Sequence, residues 1–278
     1  MKIAFIGGGN MATALIGGML KQGFAATDIS AIEPFEAARA KLAAQFGVAC
    51  AAAPSAALGA ADVIVMAVKP QNMRDAAATV APFLHAQLIV SIAAGIRIVD
   101  LARWLGSASG PAPVPYTSIV RCMPNSGGLI GMGITGLHAA PAVSAVQRAS
   151  AERILRAVGD VVWVGSEALI DPVTAVSGSG PAYVFYFLES MAEAGIQLGL
   201  TPADAKRLAL ATFSGAARLA AESPDDLATL RAKVTSKGGT TEAALKVMME
   251  RQVKAAIGSA IGAASARGTE LGEMLGRD

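Results

Sequence analysis

The first twenty residues constrain the fold of this 278-residue chain more than any other stretch. Residues 2–6 form a short apolar run rich in branched and aromatic side chains, which predicts a buried strand. The glycine pattern of Gly7, Gly9 and Ala12 follows at once, and apolar residues then continue at helical spacing to Leu20. A strand, a glycine turn and a helix in this order are what a dinucleotide-binding fingerprint requires.

Each residue type in this fingerprint has a physical reason. Gly7 allows the tight turn, Gly9 lets the backbone approach a pyrophosphate, and Ala12 lets the helix pack closely on the strand. Free amides at the start of the helix would hold the phosphates. Two alternatives are a turn without a ligand and a secretory signal, but the glycines and Asn10 interrupt the apolar core that a signal needs.

The composition argues against several classes of protein. Lys and Arg number 23 against 21 Asp and Glu, without a basic cluster, so nucleic-acid binding is not expected. The uncharged stretch at residues 76–96 is interrupted by proline, glycine and polar residues, so we expect no transmembrane segment. With two histidines and no Cys or His cluster, we expect no metal site. Cys50 and Cys122 are far apart, which favours reduced thiols and a cytoplasmic location.

The hydrophobic pattern changes character near residue 164. Before it, strand patterns alternate with helix patterns, which is typical of a doubly wound, mainly parallel sheet covered by helices. After it only helix patterns continue, and residues 201–204 and 223–226 read as capping boxes with proline at the first helical position. We therefore predict an α/β Rossmann domain at residues 1–164 and an all-α domain at residues 165–278.

Individual elements follow from the same periodicity. Beyond the first strand, we predict strands at residues 28–32, 62–68, 88–92, 118–122, 133–137 and 160–164, and helices at residues 35–46, 71–80, 98–105 and 143–158. Residues 106–117, rich in Gly, Ser, Ala and Pro, predict a mobile surface loop. The small apolar face of a long helix at residues 253–275 fits either the intrachain core or a subunit interface.

Further candidate residues follow predicted strands, because ligands bind at the carboxyl ends of strands in an open parallel sheet. Ala67, Val68, Lys69 and Pro70 end the central strand and start a helix, so their backbone and Lys69 would face a ribose or nicotinamide. Asn125 follows a later strand and precedes a glycine-rich turn. The alternative for the lysine is an ordinary turn with a solvated side chain.

Glu33 ends the second strand, where an acid accepts hydrogen bonds from a ribose 2′-hydroxyl. This position favours NAD(H) and repels the extra phosphate of NADP(H), although Arg39 in the following helix partly offsets the charge. A solvated glutamate before Pro34 is the alternative.

Two loops of the helical half combine small polar residues with a helix start. Ser177 begins one of them, which ends at Pro181, and residues 235–241 form the other, in which Lys237 adds positive charge. Amides and hydroxyls in such loops can hold an anion such as a carboxylate. Simple helix caps with flexible lead-ins are the alternative for both.

Five motifs taken together resemble the pyrroline-5-carboxylate reductase family, in the right order, from residue 2 to about residue 275. They lie at residues 5–12, 67–70, 121–125, 177–183 and 234–241. The resemblance implies reduction of 1-pyrroline-5-carboxylate to L-proline, the last step of proline biosynthesis, with NADP(H) or NAD(H) as cofactor. It also implies an N-terminal Rossmann domain, a C-terminal helical dimerisation domain, and homodimers often assembled into decamers as pentamers of dimers.

The resemblance also assigns roles to residues. The pyrophosphate loop corresponds to Ile6, Gly7, Gly8, Gly9, Asn10 and Met11, and the segment lining the cofactor to Ala67, Val68, Lys69 and Pro70. The loop that binds the substrate carboxylate corresponds to Ser236, Gly238, Gly239, Thr240 and Thr241. Thr241 aligns with the threonine whose hydroxyl lies near the ring nitrogen, so it is the predicted catalytic residue, and Ser177 is a predicted substrate contact.

The chain departs from the family pattern at several of these positions. Lys237 replaces a common proline, and Ser126 with Gly127 replaces the usual Thr-Pro. Glu33 and Pro34 replace the basic or small polar residues that often meet the 2′-phosphate, so the choice between NADP(H) and NAD(H) stays open.

The implied chemistry needs no strong general base, because a cyclic imine requires only a proton and a hydride. We expect catalysis mainly by positioning, with the carboxylate held by residues 236–241 and Thr241 hydrogen-bonded to the ring nitrogen. One alternative is a relative that reduces a different imine or a β-hydroxy acid. The others are a nucleotide-binding sensor without turnover and a purely structural dimer.

Overall fold

The computed structural model describes residues 1–106 and 114–277 of the chain. Its strands are β1 (Ile3–Ile6), β2 (Ile29–Ile32), β3 (Ala49–Ala51), β4 (Val63–Met66), β5 (Leu88–Ser91), β6 (Ile119–Met123), β7 (Gly133–Ala139) and β8 (Gly159–Trp163). Its α-helices are α1 (Asn10–Lys21), α2 (Glu36–Phe46), α3 (Met73–Val80), α4 (Ile98–Leu105), α5 (Ala145–Leu155), α6 (Ile170–Val173), α7 (Gly180–Gln197), α8 (Pro202–Glu222), α9 (Leu227–Lys233), α10 (Thr240–Glu250) and α11 (Val253–Gly276).

The strands form one sheet in the order β3-β2-β1-β4-β5-β6-β7-β8. Every neighbouring pair is parallel except β6 with β7, which is antiparallel. The first six strands follow the order of a doubly wound dinucleotide-binding fold, in which the crossovers between β1, β2 and β4 carry the ligand at their carboxyl ends. The predicted fold class is therefore confirmed.

The core has two layers because successive side chains of a strand point to opposite faces of the sheet. On one face, Ile3 and Phe5 of β1 pack in a cluster with Leu15 of α1 and other apolar residues of α2 and α5. On the opposite face, Ile6 belongs to a cluster with Met73 of α3 and further residues of α3 and α4. Strands buried on both faces explain the uninterrupted apolar runs of the sequence.

Of the two helix caps predicted at residues 201–204 and 223–226, the structure confirms the first. Thr201 caps α8, because its hydroxyl oxygen accepts from the Asp204 amide at 3.2 Å. The predicted cap at Ser223 is wrong: this residue ends α8 and accepts from the Asp225 amide at 3.1 Å. The next helix, α9, begins only at Leu227, with Asp226 as its cap.

The chain divides into two compact units. One consists of Met1–Ser179 together with the stretch from Ala264 onward, and the other is Gly180–Ala263. All eight strands lie in the first unit, and the second is helical. The last helix, α11, begins in the helical unit and ends in the sheet unit. The domain boundary between residues 164 and 165 stays a prediction.

A few elements of the structure differ from those predicted or lie outside the described residues. The sequence patterns do not predict the short strand β3 or several single 3₁₀ turns. Of the predicted loop at residues 106–117, residues 107–113 lie outside the described part of the chain. Among the residues described, no helix combines the length and apolar character needed to cross a membrane.

Candidate active site

Three of the predicted cofactor segments meet at the carboxyl edge of β1, β2 and β4. In the sheet register, Ile6 lies between Ile32 and Met66. Beyond the strand ends, the Gly7 amide donates to the Ile32 carbonyl at 2.8 Å, and the Ala67 amide donates to the Ile6 carbonyl at 2.8 Å. These bonds continue the strand pairing into the turn, and so they fix the fingerprint against its neighbours.

Gly7 is required at the turn for two reasons. Its φ of +99° lies in the left-handed region, which side chains disfavour. A Cβ at this position would also lie 2.8 Å from the Ala67 carbonyl oxygen and 3.1 Å from Cγ1 of Val68. Glycine therefore allows the first turn to pass directly over the segment that follows β4.

The start of α1 offers amides that nothing in the described chain uses. Gly9 is the N-cap and has no side chain to bond the helix amides. Within residues 1–106 and 114–277, the amides of Asn10, Met11 and Ala12 have no hydrogen-bond acceptor. A Cβ on Gly9 would meet nothing within 4 Å, so the approach to these amides is open. A pyrophosphate fits this position, because it would accept from the free amides and favour the positive end of the helix.

Glu33 lies at the end of β2 beside the same turn. Its Oε2 accepts from the Gly8 amide at 2.8 Å, and its Oε1 accepts from the Phe35 amide at 3.0 Å. The residue is only 8% exposed, so the alternative of a solvated glutamate is wrong. Arg39 lies close by, and its Nη1 donates to the backbone carbonyls of Glu33 at 2.8 Å and Pro34 at 2.7 Å.

The segment after β4 presents its backbone and one cation. Lys69 is exposed and is the N-cap of a 3₁₀ turn that begins at Pro70 and precedes α3. Ala67 and Val68 are half-buried against Gly7. The structure thus places this segment beside the fingerprint, while the role of Lys69 toward a cofactor stays a prediction.

Asn125 follows β6 and organises the next turn. Its Oδ1 accepts from the Ile134 amide at 3.2 Å, and its carbonyl accepts from the Gly128 amide at 3.0 Å. The side-chain nitrogen of Asn125 makes no hydrogen bond to any described residue, so it can donate to a ligand.

A buried ionic network lies on β6 just before this turn. Arg121 is 4% exposed and donates to Glu167 at 3.1 Å and to Asp171 at 3.0 Å. Glu167 also accepts from the Ile98 amide at 2.6 Å, and Asp171 accepts from the Thr269 hydroxyl at 3.0 Å. This network joins β6 to the starts of α4 and α6 and to the last turns of α11.

Among the described residues, the two cysteines are poor candidates for a nucleophile, and the acidic residues form no metal site. Burial raises the pKa of the Cys122 thiol, and burial also raises the pKa of Cys50, so both favour the protonated form, which is a poor nucleophile. Both cysteines are free thiols. In the described ranges, no group of three or more His, Cys, Asp or Glu side chains could hold a metal ion.

Ser177 lies in a short π-helical segment, Thr174–Gly178, directly before α7. Its hydroxyl donates to the Val173 carbonyl at 2.9 Å, which leaves the oxygen as an acceptor only. A Cβ on Gly178 would lie 2.5 Å from the Met123 methyl group, so this segment packs directly on the side chain at the end of β6. Single-turn π segments are frequent at functional sites.

The loop before α10 belongs to the helical unit. Like the start of α1, it forms an anion cradle, that is, a helix start whose amides are available to an anion. Gly239 caps α10 without a side chain, and within the described residues the amides of Thr240 and Thr241 have no acceptor. The hydroxyls of Ser236, Thr240 and Thr241 also make no hydrogen bond to any described residue. A carboxylate would satisfy these donors and the helix dipole together.

Glu242 is a member of this loop that the sequence interpretation missed. Its Oε2 accepts from the Gly238 amide at 2.7 Å, so that amide is already engaged while those of Thr240 and Thr241 are not. The sequence does contain a signal for this contact: Glu242 is the third residue of α10, and a glutamate at that position commonly accepts from an amide before the helix. Gly238 has φ +73°, which this turn requires.

Comparisons with known proteins agree with this arrangement. The family model described as pyrroline-5-carboxylate reductase dimerisation matches residues 167–271, and the model described as NADP oxidoreductase coenzyme F420-dependent matches residues 2–95. The chain is 47% identical over 277 residues to the pyrroline-5-carboxylate reductase of Pseudomonas aeruginosa, covering 99% of this chain and 98% of that protein.

Solved structures show the same similarity. A pyrroline-5-carboxylate reductase from Coxiella burnetii matches with a TM-score of 0.89 and 38% identity, covering 97% of this chain and 98% of that one. The Plasmodium falciparum pyrroline carboxylate reductase with NADP bound matches with a TM-score of 0.83 and 26% identity, covering 98% of each chain. On its sequence, its fold and these matches, the chain belongs to the pyrroline-5-carboxylate reductase family.

Proposed function

We propose that this protein reduces 1-pyrroline-5-carboxylate to L-proline with NADPH or NADH as hydride donor. The observation that carries the proposal is the loop at residues 236–241, whose free amides and hydroxyls form a cradle for a carboxylate. A fingerprint turn that fits a pyrophosphate lies in the same chain. Family membership supports the same reaction, because the matched relatives carry the name of this enzyme.

The residues of the loop bind and orient the substrate. The amides of Thr240 and Thr241 and the hydroxyl of Ser236 hold the substrate carboxylate, which leaves the imine ring in one orientation. The Thr241 hydroxyl oxygen accepts a hydrogen bond from the N–H of the protonated ring nitrogen and so steadies the proton that this nitrogen carries. Ser177 contributes an acceptor oxygen to the substrate. No residue needs to act as a strong base, since the protonated imine is already electrophilic.

The residues of the sheet unit bind and orient the cofactor. The amides of Asn10, Met11 and Ala12 hold the pyrophosphate, with Gly9 keeping the approach open and Gly7 and Gly8 forming the turn before it. Glu33 binds the adenosine ribose, while Asn125, Lys69 and the backbone of Ala67, Val68 and Pro70 line the rest of the site. When bound, the nicotinamide supplies the hydride.

The working form is proposed to be a cytoplasmic homodimer. The match to a dimerisation model over residues 167–271 supports the dimer, and the two free cysteines fit a reducing compartment. The larger assembly implied by the family resemblance is a decamer of five dimers.

The test is the loss of absorbance of NADPH, and separately of NADH, with purified protein and 1-pyrroline-5-carboxylate. Rapid oxidation with L-proline as the product, identified by chromatography, is the expected result. Protein that is folded and binds nucleotide but oxidises neither cofactor would overturn the proposed substrate and favour a sensor. A reaction without the imine serves as the blank.

A further inference from the structure

The corner formed by the end of β2 and the start of α2 is where the adenosine ribose of a dinucleotide would lie. We propose that Glu33 makes this corner selective for an unphosphorylated ribose, so that the protein binds NAD(H) more tightly than NADP(H). The inference rests on the proposed function only in taking the fingerprint as a dinucleotide site. It runs against the NADP named by one matched family model and by one matched structure, so it is specific to this chain.

The carboxylate of Glu33 is fixed in place by backbone hydrogen bonds. The Gly8 and Phe35 amides hold its two oxygens, at 2.8 Å and 3.0 Å. A carboxylate has about four acceptor sites, so about two remain for the ribose hydroxyls. Both bonds come from backbone N–H groups, which places the acceptors with little freedom and at small entropic cost on binding.

Gly8, the middle glycine of the turn, lies against the side chains of Leu42 and Glu33. A Cβ on Gly8 would lie 2.6 Å from Cδ1 of Leu42 and 3.3 Å from Cγ of Glu33. A side chain at this position would therefore crowd the Glu33 side chain, whose carboxylate accepts from the amide inside the fingerprint. A hydrogen bond thus joins the ribose corner to the pyrophosphate turn, and it fixes the Glu33 carboxylate beside the turn on which a dinucleotide would lie.

The charge of Glu33 distinguishes the two cofactors. Among the described residues, Glu33 forms no ion pair within 4.0 Å, so its negative charge is not neutralised by direct contact. Arg39 is the nearby cation, but its Nη1 is bonded to the backbone carbonyls of Glu33 and Pro34 and not to the carboxylate. Glu33 and Arg39 together leave no surplus of positive charge at the corner, whereas a 2′-phosphate brings a charge of about −2 and needs such a surplus. A repulsive group of this kind is an effective way to discriminate between two similar ligands.

The experiment measures binding without any substrate. Titration calorimetry on the wild-type protein compares NADH with NADPH, and the fragment 5′-AMP with adenosine 2′,5′-bisphosphate. We expect NADH and 5′-AMP to bind on the order of tenfold more tightly than their 2′-phosphorylated counterparts. Equal binding, or tighter binding of the phosphorylated ligands, would overturn the proposal.

Two pairs of variants identify the residues responsible. Glu33→Gln should shift the ratio of NADPH to NADH affinity on the order of tenfold toward NADPH, and Arg39→Gln should shift it toward NADH. The matched controls are Glu36→Gln and Lys41→Gln, which remove one exposed charge of each sign from the same helix and should leave the ratio unchanged. A ratio that does not move in Glu33→Gln contradicts the assignment.

The outcomes also separate this inference from the proposed function. If Glu33→Gln fails to fold because one of the two amides loses its acceptor, Arg39→Gln and the wild-type fragments still decide the selectivity. Selective NADH binding without reduction of the imine would overturn the proposed function and leave this inference standing. Absence of binding for all four ligands would overturn the selectivity and the cofactor site together.

Discussion

At the scale of single residues, the two anion cradles use the same device. Gly9 and Gly239 are both helix N-caps that lack a capping side chain, and each leaves the first amides of its helix without an acceptor in the described chain. A serine or aspartate there would stabilise the helix but would occupy amides that a ligand needs. Both glycines therefore favour binding at some expense in helix stability.

The first prediction concerns Thr241, whose hydroxyl is not used by the described chain. Thr241→Ala should lower turnover by a factor on the order of 10²–10⁴, because the hydrogen bond at the ring nitrogen is lost. Thr241→Ser keeps the hydroxyl and should recover most of the rate. Steady-state kinetics with the imine measure both variants, and unchanged kinetics in Thr241→Ala would remove this residue from the mechanism.

The second prediction separates backbone strain from steric contact at Gly7. Gly23 has a similar φ of +88°, but a Cβ added there would meet no atom within 4 Å, so Gly23→Ala should cost only about 1 kcal/mol of unfolding free energy. Gly7→Ala adds the contact with the Ala67 carbonyl and should cost about 2 kcal/mol or more. Urea unfolding measures both variants, and equal losses would show that the close approach is unimportant.

The third prediction is a pH dependence at Tyr116. Its hydroxyl donates to the Gln87 carbonyl at 2.5 Å, and burial raises the pKa of Tyr116 to about 12. The folded chain thus holds this proton more tightly than the unfolded chain, whose tyrosine pKa is about 10. The stabilisation is present in full below about pH 10 and is lost as the pH rises through about 12.

The measurement compares the wild-type protein with Tyr116→Phe. At about pH 8 the variant should be less stable by about 1 kcal/mol, because a buried carbonyl loses its donor. The difference should shrink between about pH 10 and about pH 12, as the wild-type phenol loses its proton. A difference that stays constant over this range contradicts the argument.

At the scale of elements, Arg121 joins β6 to α4, α6 and α11. Arg121→Met would leave Glu167 and Asp171 without their cation in a largely buried position, so we expect a loss of about 2–3 kcal/mol in unfolding free energy. Arg156→Met is the control, because its pairs with Glu152 and Asp160 lie at the surface, and it should change the stability little.

Thermal unfolding with a constant heating rate measures both arginine variants. A melting temperature of Arg121→Met equal to that of the control would show that the network contributes nothing to stability. In that case, repacking of the methionine among the apolar neighbours of β6 would have replaced the ion pairs.

Elements were predictable where burial imposed a pattern on the sequence. The strands β1, β4 and β5 are runs of branched residues buried on both faces, and the sequence predicts all of them. The edge strand β3 has two alanines and a cysteine, so nothing in its composition marks a strand. At residues 223–226, serine and aspartate are both good caps, and the choice of Asp226 depends on packing that the local pattern does not contain.

The same limit applies to the candidate site. The glycine turn and the loop at residues 236–241 are local in sequence, so their motifs could be recognised directly. The bond between Glu33 and the Gly8 amide joins residues 25 positions apart, and it depends on β1 and β2 being neighbours in register. The partners of the predicted residues, which decide how much of each is free for a ligand, therefore required the fold.

At the scale of the whole molecule, the helical unit carries apolar side chains that its own fold leaves exposed. Phe187 pairs with Phe213 at 6.4 Å, whereas Phe185 on the same helix is 65% exposed. The dimerisation model covers this region, so we expect these side chains to lie in a contact between two copies of the chain.

The fifth prediction follows from this exposure. Light scattering should give the wild-type protein a mass of at least about twice the 28.0 kDa of one chain. Phe185→Glu should shift it toward the monomer, because an unpaired charge in the interface is costly. Val146→Glu, at a 77% exposed position outside the dimerisation match, should leave the mass unchanged. A dimer that persists in Phe185→Glu would place the interface elsewhere.

The path of α11 has a consequence for how the protein is made. Leu275 packs against the cluster on one face of the sheet, and the carbonyl of Gly276 accepts from Arg103 at 2.7 Å. These residues leave the ribosome after the whole helical unit, although the sheet they cover is synthesised first. During translation, part of that face of the nascent sheet therefore stays uncovered until the end of the last helix has emerged.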